Sequence, residues 1–92
     1  MPVFNSYKVQ CTAVFYLPWP VKLGGPYTHT MRVGRTGPQG QYVAYSPQLG
    51  YSTPQRNRRA AMHALCAANN LYATNMVYNG QFSNVHHSTQ IA

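Results

Sequence analysis

From Tyr7 to Leu17 the odd positions read Tyr7, Val9, Cys11, Ala13, Phe15 and Leu17, while the even ones begin with the polar Lys8, Gln10 and Thr12. A period of two sustained this long predicts a half-buried strand, and Val14 and Tyr16 turn its outer face apolar near the end. Pro18-Trp19-Pro20 stops it, because proline lacks the ladder N–H and restricts the residue before it. Gly24-Gly25-Pro26 closes the loop that follows. Tyr27, His29, Met31 and Val33 then alternate with Thr28, Thr30 and Arg32 as a second strand. The glycine-rich segment 34–40, with Arg35 at its tip, is a hairpin loop leading to a third strand, Gln41-Tyr42-Val43-Ala44-Tyr45.

Beyond Gly50 the period changes. Ser52-Thr53-Pro54 combines an N-cap hydroxyl with a proline at the first helical position, which predicts a helix from there to about Tyr72. On a helical wheel Ala61, Ala64, Leu65, Ala68, Leu71 and Tyr72 gather on one side, with Arg56, Arg59, His63 and Asn70 on the other. The alanines have high helix propensity and let the helix approach a sheet closely. After Asn75 the short run Met76-Val77-Tyr78 meets Asn79-Gly80, the preferred pair for a two-residue hairpin turn, and Gln81 to Val85 would return. The pattern is lost after about residue 86, where the tail is expected to fray. No repeat or heptad interrupts the chain. The expected fold is therefore one α+β domain over residues 1–92: an antiparallel sheet of about three N-terminal strands, one helix packed on it, and a C-terminal β-hairpin.

Charge turns this generic domain into one with several chemistries excluded and one class of partner favoured. The 92 residues carry seven Lys and Arg and no Asp or Glu, where average usage would place about ten carboxylates. No carboxylate exists for a glycosidase pair, a Ser-His-Asp triad, a two-metal phosphoryl site or a calcium loop, so a non-enzymatic protein is expected. His63 and Cys66 lie three apart on the helix, a spacing that predicts an apolar thiol beside a surface histidine rather than a nucleophile and its base. Cys11 and Cys66, both in apolar stretches, are expected as buried free thiols. His29, His86 and His87 have no ligand spacing, so neither a metal nor another cofactor is expected.

A net charge of +7 without internal counter-ions directs the search to a polyanion. Arg56, Arg58 and Arg59 stand at the helix start, where cations oppose the helix dipole and a bound phosphate would offset them. With His63, Arg32, Arg35, Lys8 and Lys22 they are the candidate anion contacts. Eight tyrosines, three phenylalanines and Trp19 add a second route, base stacking, for which Tyr42, Tyr45, Tyr51 and Trp19 are the candidates. Tyr42 and Tyr45 point to opposite faces of their strand, so one of them is expected to be exposed.

The run Gly50-Tyr51-Ser52-Thr53-Pro54-Gln55-Arg56-Asn57-Arg58-Arg59-Ala60-Ala61, after three strands, resembles the second half of a double-stranded-RNA-binding domain over residues 7 to 72. That resemblance implies a helix lying across duplex phosphates. The family's first helix is absent, and arginines stand in place of its lysines.

The expected function is sequence-independent binding of a nucleic-acid backbone. The alternative is a structural or assembly subunit, such as a virion component, whose tyrosines make protein contacts with an acidic partner or with further copies of itself. The start of the chain has no basic n-region and the apolar runs are short of the ~20 residues that span a bilayer, so no membrane is expected. An intracellular location, or the inside of a virus particle, follows from that expectation.

Overall fold

The alternation around Val9 marks the middle of a longer strand than the pattern alone suggests. The computed structural model of the chain describes residues 3–16, 18–36 and 40–83. Its elements are β1 (Val3–Tyr16), β2 (Pro20–Thr36), β3 (Gln41–Ser46), β4 (Gly50–Tyr51), α1 (Arg58–Ala68) and β5 (Leu71–Ser83). They form one antiparallel sheet in the order β4-β3-β2-β1-β5, with a single helix and more sheet than helix.

Pro18 and Trp19 sit at the end of a long hairpin, with Tyr16 opposite Pro20 and Phe15 opposite Val21. The expected loop up to Pro26 is instead strand. Proline is tolerated at the first position of a strand, and the Gly24-Gly25-Pro26 segment is taken up as ladder irregularities on either side of Ala13. Gly25 has φ +110, and a Cβ there would lie 3.0 Å from the Cys11 carbonyl oxygen and 3.2 Å from the Thr12 Cα. Only glycine fits both the conformation and the space.

The helix starts later than Ser52-Thr53-Pro54 predicts, and its cap is Asn57, whose side-chain oxygen accepts from the Ala60 N–H at 2.7 Å. Ser52 is committed elsewhere: it is buried, and its hydroxyl accepts from the Ala44 N–H at 2.9 Å. Gln55 bridges to Tyr42 through backbone bonds of 2.7 and 2.8 Å. This segment is thus latched to β3 and cannot wind. At the other end Asn70 adopts φ 57, a left-handed conformation that asparagine tolerates, so the helix stops at Ala68 and Leu71 and Tyr72 begin β5.

The C-terminal hairpin does not form. β5 runs as one strand along β1, pairing Val9 with Met76, Tyr7 with Tyr78 and Asn5 with Gln81. Asn79-Gly80, with Gly80 at φ 101, is absorbed as a bulge between the last two pairs. β1 extends back to Val3 and supplies a partner all the way, so β5 has no need to fold upon itself. Asn84, Val85 and the tail expected to fray lie outside the described residues, as do Leu17 and the middle of the 34–40 loop.

The core lies between the sheet and α1. Val9 and Cys11 from β1, Met31 and Val33 from β2, Ala44 from β3 and Leu71 and Ala73 from β5 meet Ala61, Met62, Leu65 and Cys66. The helical face is therefore rotated from the expected one: Ala64 is half-buried and Ala68 is exposed, while Met62 and Cys66 are inside. Antiparallel neighbours share a face and successive residues alternate, so the opposite face carries Phe4, Ser6 and Lys8 of β1, Arg32 of β2, Val43 and Tyr45 of β3 and Tyr51 of β4.

Candidate nucleic-acid interface

Arginines collect where the helix start meets the ends of β1, β2 and β3. Asn5 lies opposite Val33, Arg35 opposite Tyr42, and Tyr42 against Gln55, which brings the N-cap Asn57 to the same corner. Arg58, the first helical residue, is held on two sides. With the Asn5 amide oxygen turned toward it, Arg58 donates from Nε at 2.7 Å and from Nη2 at 3.2 Å. Its guanidinium also lies 4.9 Å from the Tyr42 ring centroid, and that of Arg35 lies 5.6 Å from the same centroid. Two cations over one ring gain cation–π attraction but repel each other, and the chain has no acidic side chain to screen them.

Arg56 and Arg59 are exposed beside this cluster. Asn57 caps the Ala60 N–H, whereas the N–H groups of Arg58 and Arg59 belong to the first turn and have no intrahelical acceptor. A hollow of about 410 Å³ adjoins them, lined by Tyr7, Asn57, Arg58, Arg59, Met62 and Met76. Its chemistry suits an anion that accepts from guanidinium and backbone groups together.

The other predicted contacts are dispersed. His63 is half-buried, its ring 6.1 Å from that of Tyr72, and burial, followed by the charge of Arg59, holds its pKa below the usual value. At neutral pH it is uncharged and adds nothing to the cationic cluster. Lys8 is exposed on the face away from α1, opposite Thr30, and Lys22 is exposed on the distal hairpin, opposite Val14. Arg32 belongs to that same opposite face, across from Tyr45.

The stacking candidates also divide. Tyr42 and Tyr45 do face opposite ways, but both are half-buried, and neither is the exposed ring expected. Tyr51 is exposed and pairs with Tyr45, their centroids 4.6 Å apart and their planes tilted by 46°. Trp19 is 66 % exposed but lies at the hairpin end, far from the arginines. Beside Tyr45 and Tyr51 a second hollow, of about 460 Å³, is lined by Phe4, Val43, Pro54, Arg32 and Arg35. Nothing in the local pattern marks Phe4 or Val43 as site residues. Phe4 is set apart only by its even-numbered phase with Ser6 and Lys8, outside the apolar alternation.

Cys11 and Cys66 are free and buried as expected, with their sulfurs 3.6 Å apart. Burial raises both thiol pKa values, that of Cys66 to about 12 with the neighbouring Cys11 adding to the effect. Cys66 is thus a protonated core thiol at neutral pH, not a thiolate for His63 to activate. Among the described residues no group of three His or Cys side chains converges as a metal site, and His86 and His87 lie outside those residues. No helix among them is long and apolar enough to cross a membrane. No protein-family model, curated protein or solved structure matches the chain.

Proposed function

We propose that the chain is a non-enzymatic binder of nucleic-acid backbone, with its principal phosphate contacts at the start of α1. The observation that carries this reading is the gathering of Arg35, Arg56, Arg58 and Arg59 around Tyr42 and the first helical turn in a chain without one acidic side chain. A cluster of this kind, left without internal counter-charge, gains most from an external polyanion. Guanidinium and backbone N–H groups read phosphate and not base identity, so sequence preference is weak. The test is an electrophoretic shift series with RNA and DNA at 50 and 200 mM salt. Contact with three or four phosphates predicts an affinity loss of roughly 20- to 150-fold between those concentrations. No binding at the lower salt overturns the reading.

A second reading, an assembly subunit such as a virion component, draws on the distal hairpin. Phe15, Trp19 and Leu23 are more than half exposed there, and Lys22 is the one Lys or Arg between Val9 and Met31. β3 pairs with β2 only from Arg32 to Thr36, so the earlier part of β2 has no strand on its outer side among the described residues. An apolar, nearly uncharged edge of this kind favours protein contacts. Association through it would persist at high salt, unlike backbone binding.

A further inference from the structure

The arginine cluster accounts for phosphate, but it leaves unexplained the aromatic hollow on the other face of the sheet. There the register sets Arg32 opposite Tyr45, and Tyr45 opposite Tyr51, in one row across β2, β3 and β4. Two residues further along β2, Gly34 lies opposite Val43, and the Phe4 ring covers Gly34 so closely that any Cβ there would collide with it. Phe4, Val43 and Pro54 thus form an apolar floor next to the tyrosine pair, within the hollow of about 460 Å³. A second hollow of about 200 Å³, with Thr30 and Pro47 in its wall, lies on the far side of Tyr45. Arg32 and Tyr45 line both, so they form the partition between them.

We propose that this face binds unpaired nucleotides, one base in each hollow with Tyr45 between them, and that the chain therefore prefers single-stranded nucleic acid to duplex. The inference rests on the nucleic-acid reading above and adds to it the strandedness of the ligand. Three features select this occupant. The floor is apolar and aromatic, which suits a flat ring presenting its π-face. The rim is cationic, through Arg32 and Arg35, with no acidic side chain anywhere in the chain, so the ring must come attached to an anion. Arg35 lines the hollow and also packs over Tyr42, so it joins this face to the arginine cluster, and a phosphate chain leaving the hollow meets Arg35 and then Arg58. A duplex keeps its bases stacked inside and can satisfy only the arginines.

Fluorescence anisotropy on the full chain compares three labelled probes of equal length: a single strand, its abasic counterpart with the same phosphates, and a duplex. The intact strand is expected to bind at least roughly 5-fold more tightly than the abasic strand, each stacked base being worth about 5- to 150-fold. Y45A and Y51A should each remove most of that difference and change abasic and duplex binding by less than about twofold, whereas Y45F and Y51F, which keep the rings, should retain it. Because Tyr51 is exposed, Y51A tests the site even where Y45A impairs folding. Equal binding of intact and abasic strands, or a uniform loss on all three probes in folded Y51A, overturns the base site while leaving backbone binding in place. Failure of every probe to bind at low salt overturns the backbone reading itself.

Discussion

At one end of the β1–β2 hairpin, Arg35 and Arg58 crowd a single tyrosine ring beside Arg56 and Arg59; at the other, Phe15, Trp19 and Leu23 stand in solvent with Lys22 as the one nearby cation. From Asn5 to Tyr16 the extended chain covers roughly 35 Å at ~3.3 Å per residue, which accounts for most of the 40 Å length of the molecule. The two ends share the same strands, so the contrast comes from side chains and from what packs beside them. The basic end is braced by α1, β3 and the Ser52–Gln55 latch, and two of its arginines, Arg35 and Arg58, have defined partners. The distal hairpin leaves the layer that α1 covers and is tied back by contacts such as the Tyr16 hydroxyl donating to the Leu71 carbonyl at 2.7 Å and the Val14 N–H donating to the Asn70 carbonyl at 3.0 Å. Charge is concentrated where helix and sheet pack together, and apolar surface is exposed where the sheet has fewest strands. An anion site benefits from the first arrangement because prepositioned guanidiniums lose less freedom on binding.

The largest expected effect comes from removing that charge. Changing Arg56, Arg58 and Arg59 to Gln should flatten the slope of log affinity against log salt by roughly 2 to 3 units, measured by filter binding over a salt series. Arg58 also holds Asn5 and Tyr42, so the triple variant should lose about 1 kcal/mol of stability in urea titration. R56Q/R59Q touches neither partner and should keep parental stability while losing nearly 2 units of slope. A folded triple variant with the parental slope would place the contact elsewhere and erase the contrast between the two ends.

Gly25→Val attacks the hairpin instead. Its side chain meets the Cys11 carbonyl and the Thr12 Cα in a backbone conformation that valine resists, so urea unfolding should show a loss of about 2 to 4 kcal/mol. The folded fraction should bind nucleic acid with the parental salt slope, since no arginine of the basic end moves with Gly25. A milder change at the same end, Phe15, Trp19 and Leu23 all to Ser, should alter stability by less than about 1 kcal/mol because these side chains are exposed. Analytical ultracentrifugation then tests the assembly role of the hairpin. If it mediates assembly, this variant should be monomeric at concentrations where the parent is not; a parent that is monomeric throughout rules assembly through this hairpin out.

The smallest effect concerns pH at the edge of the basic end. His63 has a folded pKa below its ordinary value, so the unfolded chain takes up its proton first as pH falls. The stability this contributes is full above about pH 6.5 and is lost as pH drops through the folded value. Thermal melts at pH 7.5 and 5 should show a modest decrease that H63Q reduces. An unchanged decrease in H63Q would assign it to another group.

Much of this contrast was legible before the fold. The alternation at Tyr7, Val9 and Cys11, the third strand at Gln41–Tyr45 and the helical run through Ala61 and Leu65 appear where local pattern placed them, because each buries its apolar side against one nearby layer. Three signals that are strong locally were overruled. Ser52 has the chemistry of an N-cap, but its hydroxyl bonds to Ala44 across a turn. Gly24-Gly25-Pro26 has the composition of a loop and becomes strand, since β1 continues opposite it. Asn79-Gly80 favours a turn and becomes a bulge for the same reason. The arginines at the helix start were evident as a charge run. The hollow around Tyr45 was not, because Phe4, Arg32, Val43 and Tyr51 come from four separate strands.

The sequence by itself determined the absence of negative charge, the positions of the basic and apolar residues along the chain, and the periods that make strands and a helix, since these depend on composition and on neighbours a few residues apart. Tertiary structure alone decided which strand each segment joins, where the helix begins, and that Arg35 and Arg58 meet on the Tyr42 ring while Arg32 lies across from Tyr45 on the other face. Those outcomes depend on register between segments distant in sequence, and in a sheet a one-residue change of register moves every side chain to the opposite face.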